Sequence, residues 1–246
     1  MRLTFCLLML VAMNSHAEPV ALRYSIADSW AMPMVGFKEG EPAEGIMYDI
    51  MLSLAQQVGH PATFRVLAQA RLEGAMDQAM IDVRCLVTPE WLRAKGDYVW
   101  SQPFLEQHDV LVSTRQHSEP VNVQELPRQS IGTVLNYIYP SLQPLFDAGK
   151  LQRDNARSQQ QVLQMLIIGR FNYAVSNHWA IDWINRDRKP QDTLHRVAHL
   201  HSQTLACMVR NDPNLPVHQL LTTLAQMQST GEIDRIINRY TSPSAP

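Results

Sequence analysis

G-A-M-D-Q-A-M-I-D-V-R-C-L-V-T-P-E-W-L-R-A-K-G-D-Y-V-W-S-Q-P-F, residues Gly74 to Phe104, reads as a helix end, a buried strand, a polar stop and a new short helix. Ile81 to Val87 is the strand, rich in β-branched and apolar residues. In the triplet that follows, Thr88 suits an N-cap, Pro89 the first helical position, and Glu90 the positive end of the helix dipole. A strand that delivers a helix N-terminus at its carboxyl end is where open α/β sheets bind small ligands. Binding or chemistry is therefore expected around Thr88 and Trp91.

The flanks extend the same pattern. Upstream, Leu22 to Ala27 reads as a strand and is followed by the loop Asp28 to Pro33. Ile46, Ile50, Leu54 and Val58 share one helical face, which Gly59 and Pro61 end. Thr63 to Leu67 is the next strand, and Leu72, Ala75, Met76 and Ala79 stripe the helix before Ile81. The order is βαβαβ, which calls for a mostly parallel sheet covered on both faces. Downstream, Val110 to Ser113 is a strand and the polar segment 114–129 reads as a crossing.

A second α/β unit then begins. Ser130 to Val134 is its first strand, with a helix near Ser141 to Phe146 after it. Ser158 and Gln161 have capping-box spacing for a helix carrying Val162, Leu163, Leu166 and Ile167, stopped by Gly169. Tyr173 to Ser176 is a strand and His178 to Asn185 a short helix. Leu194 to Leu200 and Thr204 to Val209 are extended, the latter returning to the first unit. Two helices, around Val217 to Met227 and Glu232 to Tyr240, complete the chain, and residues 241–246 read as a frayed tail.

The totals narrow the options. With 246 residues, 46% of them hydrophobic, there is enough apolar surface for one large or two modest domains. A formal net charge of −2 leaves no basic excess for nucleic acid or an anionic membrane surface. Met1 to Ala17 has the form of a cleaved export signal: Arg2, the short apolar run Leu3 to Met13, then Ser15-His16-Ala17. Beyond it stand two cysteines, Cys85 and Cys207, each inside an apolar run. Pairing in an oxidising compartment and two buried thiols are equally open readings.

This order of elements resembles the periplasmic solute-binding proteins of family 3, which includes the amino-acid-binding components of ABC importers. The residues that carry the resemblance are G-I-M-Y-D-I-M-L-S-L-A at 45–55, G-A-M-D-Q-A-M-I-D-V at 74–83, V-T-P-E at 87–90 and S-Q-P-F at 101–104. Q-E-L-P-R-Q-S-I-G-T-V at 124–134, Q-Q-V-L-Q-M-L-I-I-G-R at 160–170 and G-E-I-D-R-I-I-N-R-Y at 231–240 continue it. The resemblance implies a type II two-lobe α/β fold, each lobe a mostly parallel sheet flanked by helices, joined by a two-strand hinge. Residues 18–113 and 204–246 would form one lobe and 114–203 the other, with crossings near Ser113–Gln116 and His201–Thr204. It also implies a periplasmic monomer without cofactor that captures a small molecule, its permease or membrane receptor being a separate chain.

The departures matter as much as the matches. In relatives that bind amino acids, an Arg follows the T-P-E triplet and clamps the ligand carboxylate; here that residue is Trp91. An Asp at the end of the strand after G-R pairs with the ligand ammonium; here it is Asn177. Arg93 would point away from Trp91 on a helix. Indole and carboxamide cannot supply those ion pairs, so a conventional α-amino acid is not the expected ligand.

Each site candidate has a plain structural alternative. Trp91 is either a stacking platform or a lobe-packing aromatic, and Trp30 either faces the cleft or packs below it. Thr88 is a cap or a ligand contact. Arg71, at a helix start where it opposes the dipole, is a substitute anion anchor or simply solvated. Tyr137, Asn177 and Trp179 sit in loops after strands of the second lobe, where turn and cap chemistry also suits them.

Other chemistries find less support. His195, His199 and His201 share a strand face, but neighbours there stand at least about 7 Å apart, too far for one zinc, so no metal is expected. No G-x-S-x-G elbow is present. Asp28, Glu90 and Asp97 are the acid–base candidates for a dehydratase-like cleft enzyme, the rival to a binder; a sensor that answers to a protein partner is the third reading.

Overall fold

The computed structural model describes residues 19–92 and 96–242. The leader-like segment 1–17 and Arg93 lie outside the described residues. β1 (Leu22–Ala27) is buried on both faces, with only Arg23 half-buried, as a strand covered on both sides by helices should be. A small hairpin follows, β2 (Gly36–Lys38) with β3 (Glu41–Glu44). The apolar face seen in sequence then forms α1 (Ile46–Gln57), and Gly59 at φ 72° ends it. Next come β4 (Ala62–Leu67), a single 3₁₀ turn at Gln69–Arg71, α2 (Leu72–Asp77) and β5 (Val83–Val87). β4, β1 and β5 are parallel neighbours, as the βαβαβ order requires.

β6 (Tyr98–Trp100) and β7 (Leu105–Ser113) lead into the second unit, made of β8 (Gln129–Val134), α3 (Gln143–Asp147), β9 (Leu151–Ala156), α4 (Gln159–Ile167), β10 (Ala174–Asn177) and α5 (His178–Asn185). The long β11 (His195–Arg210) returns, followed by α6 (Val217–Ser229) and α7 (Glu232–Thr241). Ser158 caps α4 as its spacing predicts, its Oγ accepting from the Gln161 amide, while Gln161 Oε1 reaches one residue past the cap to accept from the Arg157 amide.

The strands form one path, β4-β1-β5-β11-β7-β10-β8-β9, with β6 also on β11. Each half carries two cores. On the first sheet, α1, α6 and α7 bury one face (Ile46, Leu54, Leu224, Ile236), and α2 with β6 covers the other (Met76, Ile81, Val87, Met208). On the second, α4 and α5 cover one face and α3 the other. No helix of the described residues is long and apolar enough to cross a membrane.

β7 and β11 join the halves as one antiparallel ribbon, from Leu105↔Leu205 to Ser113↔His195. β7 is nine residues long and already pairs with β10 at Asp109, so the chain enters the second sheet ahead of Ser113. Cys85 and Cys207, side by side on β5 and β11, are bonded to each other. At the amino edge of the first sheet, Asp82 is 1% exposed yet charged. Burial alone would raise its pKa, but Arg23 (Nη2–Oδ1 2.6 Å) and Arg210 (Nη2–Oδ1 2.9 Å) hold it below the usual range.

Candidate functional site

The carboxyl ends of β1 and β5 face those of β8 and β10 across a cavity of about 180 Å³. The halves are closed on each other. Ser29, in the loop after β1, has its Oγ 3.1 Å from the Tyr137 hydroxyl, in the loop after β8. Its carbonyl accepts from the amide of Gln159, the first residue of α4, at 3.2 Å. Burial pushes the Tyr137 hydroxyl up to about 12, so it remains a donor. The loop that presents Tyr137 is braced from behind: Arg153 donates to the carbonyls of Tyr137 (3.0 Å) and Val134 (2.9 Å).

Trp30, Trp91, Tyr137 and Asn177 line the cavity together. Asn177 also caps α5, its Oδ1 accepting from the Ala180 amide at 2.9 Å. Three other expected contacts lie elsewhere. Arg71 is exposed in the turn before α2. Trp179 is buried in the first half's main core although α5 belongs to the second, and with Trp183 against Tyr240 it packs the halves together. Thr88 stands at the N-cap position with extended backbone, but its hydroxyl donates to the Glu90 carboxylate instead of accepting from an amide. The element it opens is a single 3₁₀ turn, and the hydroxyl proton goes to an ionised acceptor. That bond holds the exposed Glu90 carboxyl below its usual range. Asp28, Glu90 and Asp97 are all exposed and none lines the cavity.

Two charged side chains that strand patterning conceals also line it. Arg84, inside β5, is 6% exposed and makes no hydrogen bond or ion pair with any described residue. Burial lowers its pKa to about 10, opposed by the field of Glu73 on the same wall. Asp109, on β7, accepts from Gln107 Nε2 at 2.9 Å. Burial pushes it up to about 6, resisted by that bond and by His201, His199 and His108. An arginine within V-R-C-L-V is itself a signal, since arginine is almost never fully buried unless paired. Asp109 escapes notice because the apolar run that marks its strand starts only at Val110.

Backbone strain gathers here as well. Leu86, on the cavity wall, has φ 58° and Asn136, in the opposing loop, φ 64°; leucine in that region is uncommon and costs energy. Among the described residues no group of three or more His, Cys, Asp or Glu side chains is placed to hold a metal ion. His199 Nε2 instead meets Ser202 Oγ at 2.8 Å.

No protein-family model matches the sequence, and no curated protein does. Solved structures match over nearly the whole chain. A mutant of the arginine-binding protein ArgBP from T. maritima has TM-score 0.72 at 16% identity, covering 90% of this chain and 95% of that one. The GluR0 ligand-binding core in complex with L-glutamate has TM-score 0.72 at 14% identity, covering 90% and 98%. The ancestral amino-acid-binding protein AncCDT-1, a precursor of cyclohexadienyl dehydratase, has TM-score 0.71 at 16% identity, covering 90% and 95%. At such identities the likeness speaks to architecture alone: this chain has the two-lobe α/β fold of those binding proteins.

Proposed function

We propose that this chain is a divergent solute-binding protein of family 3 that captures a small molecule in the periplasm by closing its lobes about the β7–β11 ribbon. The observation that carries the reading is the cavity between the closed lobes. It is concave, walled by Trp30, Met32, Leu86, Trp91 and Ile138, and provided with a few polar groups from both sides, the usual make-up of a small-molecule site. Family 3 proteins hand their ligand to a permease or signal to a receptor, and a separate membrane protein is the proposed partner here. The ligand is not a conventional α-amino acid, because Trp91 and Asn177 stand where neighbouring carboxylate and ammonium groups would need ion pairs.

The test is a thermal-shift panel on refolded, ligand-stripped protein, with α-amino acids, polyamines, aromatic acids and short peptides. A ligand at 100 times its Kd adds about 2.7 kcal/mol, or several degrees. Hits confined to compounds other than α-amino acids support the reading; a strong hit with an ordinary α-amino acid refutes the ligand assignment. Asp109 favours one second reading, an enzyme, since a cavity carboxyl near pKa 6 suits general acid–base work. Turnover of a hit compound, abolished by Asp109→Asn, would establish it.

A further inference from the structure

We infer that the cleft grips its ligand between Arg84 and Asp109, and that the ligand is an elongated zwitterion with its acidic group at the β5 end and its basic group at the hinge. This rests on the solute-binding reading and names the ligand class for it. Arg84 carries the first half of the argument. It is a guanidinium nine-tenths buried, open to the cavity and without an ion pair or hydrogen bond among the described residues. A buried charge left so is costly, and guanidinium is the side chain best shaped to take a carboxylate in a two-point fork. Glu73 shares the wall, and its field raises the Arg84 pKa against the effect of burial.

Asp109 carries the second half. Gln107 supplies a single donor to one carboxylate oxygen, and the side chains whose charge acts on it are the imidazoles of His201, His199 and His108, with no Lys or Arg among them. A bound ammonium or amidinium would give it the full positive charge it lacks.

The spacing between the two decides the class. On β11, Arg84 is level with Met208 and Asp109 with His201, a separation of roughly 20 Å along an extended strand before bulges and side-chain reach reduce it. An α-amino acid holds its carboxylate and ammonium on one carbon and cannot meet both. A chain of methylenes between them can, and the aromatic and aliphatic walls suit it.

The probes are 4-aminobutanoate, 6-aminohexanoate and 8-aminooctanoate, with alanine, hexanoate and hexylamine as controls, measured by titration calorimetry on refolded protein. The expected result is saturable binding that peaks at one chain length, with every control at least tenfold weaker. Arg84→Gln should lower affinity for the best probe at least tenfold and leave hexylamine unchanged; Asp109→Asn should do the same and leave hexanoate unchanged. If R84Q fails to melt cooperatively, Arg84→Lys, which keeps the charge and loses the fork, should still weaken acid probes at least threefold. Binding that ignores both substitutions, or that is tightest for alanine, overturns the anchors while the solute-binding reading survives. Silence across this series together with silence across the wider thermal-shift panel overturns both.

Discussion

Burial pushes the Asp109 carboxyl up to about 6 and the His178 imidazole down to about 4, with His108 at ring distance 4.8 Å adding to the second effect. The consequences for stability oppose each other. Between about pH 4 and 6 the native Asp109 holds more protons than the unfolded chain, so its contribution worsens as pH rises. Between about pH 6.5 and 4 the unfolded His178 holds more, so its contribution worsens as pH falls. In the wild type the two nearly offset. Asp109→Asn should expose the histidine: urea unfolding from pH 6.5 to 4 should lose on the order of 2–3 kcal/mol beyond the wild type, and an identical profile would refute the assignment. Ala79 offers a simpler test. It follows α2 at φ 52°, where glycine belongs, so Ala79→Gly should stabilise by about 1 kcal/mol in the same assay. Trp30, Trp91, Tyr137 and Asn177 are legible in sequence because they occupy loops at strand carboxyl ends, where α/β ligands sit. Arg84 and Asp109 are not, because within a strand the pattern reports which face a residue takes and not which stretch of that face borders a cavity.

The elements most legible in the chain are those with a strong period and a clear stop, such as α1, α4 with its Ser158 cap, and α5. β9 is missed because L-Q-R-D-N-A buries only its ends, as an edge strand does. The hairpin β2–β3 is too short and polar to signal itself, and β6, three residues long, gives no readable period. Leu194–Leu200 and Thr204–Val209 read as two segments but form one strand, because β11 absorbs the interruption in bulges near Val197 and Leu200. The disulfide ties that strand to β5, closing a separation of 122 residues. Replacing both cysteines, Cys85→Ser with Cys207→Ser, should lower unfolding stability by roughly 2–5 kcal/mol. Dithiothreitol should lower the guanidinium midpoint of the wild type and leave that of the double variant unmoved; a wild-type midpoint indifferent to reductant would contradict the bond.

At the scale of the whole molecule, the closed arrangement hangs on few polar contacts. Tyr137→Phe deletes the bond to Ser29 and leaves the ring in place. The loss is about 1 kcal/mol, which moves a balanced open–closed equilibrium about fivefold. Interlobe fluorescence transfer should report a larger open fraction, and an unchanged distance distribution would show that the Gln159–Ser29 bond and the packing of Trp179 suffice to hold the lobes shut. The two-lobe plan is legible because seven stretches in order resemble one family, whereas the closed pose is not, because it depends on contacts between loops far apart in sequence. The path β5-β11-β7 also sets a timetable for synthesis. The second sheet has its strands β7 to β10 by Asn177, but β5 waits for Cys207 and α1 for Leu220 to Tyr240. A chain emerging amino end first, with its last forty or so residues still to come, would therefore have a second half that can close up while its first half, though older, stays open and unbridged.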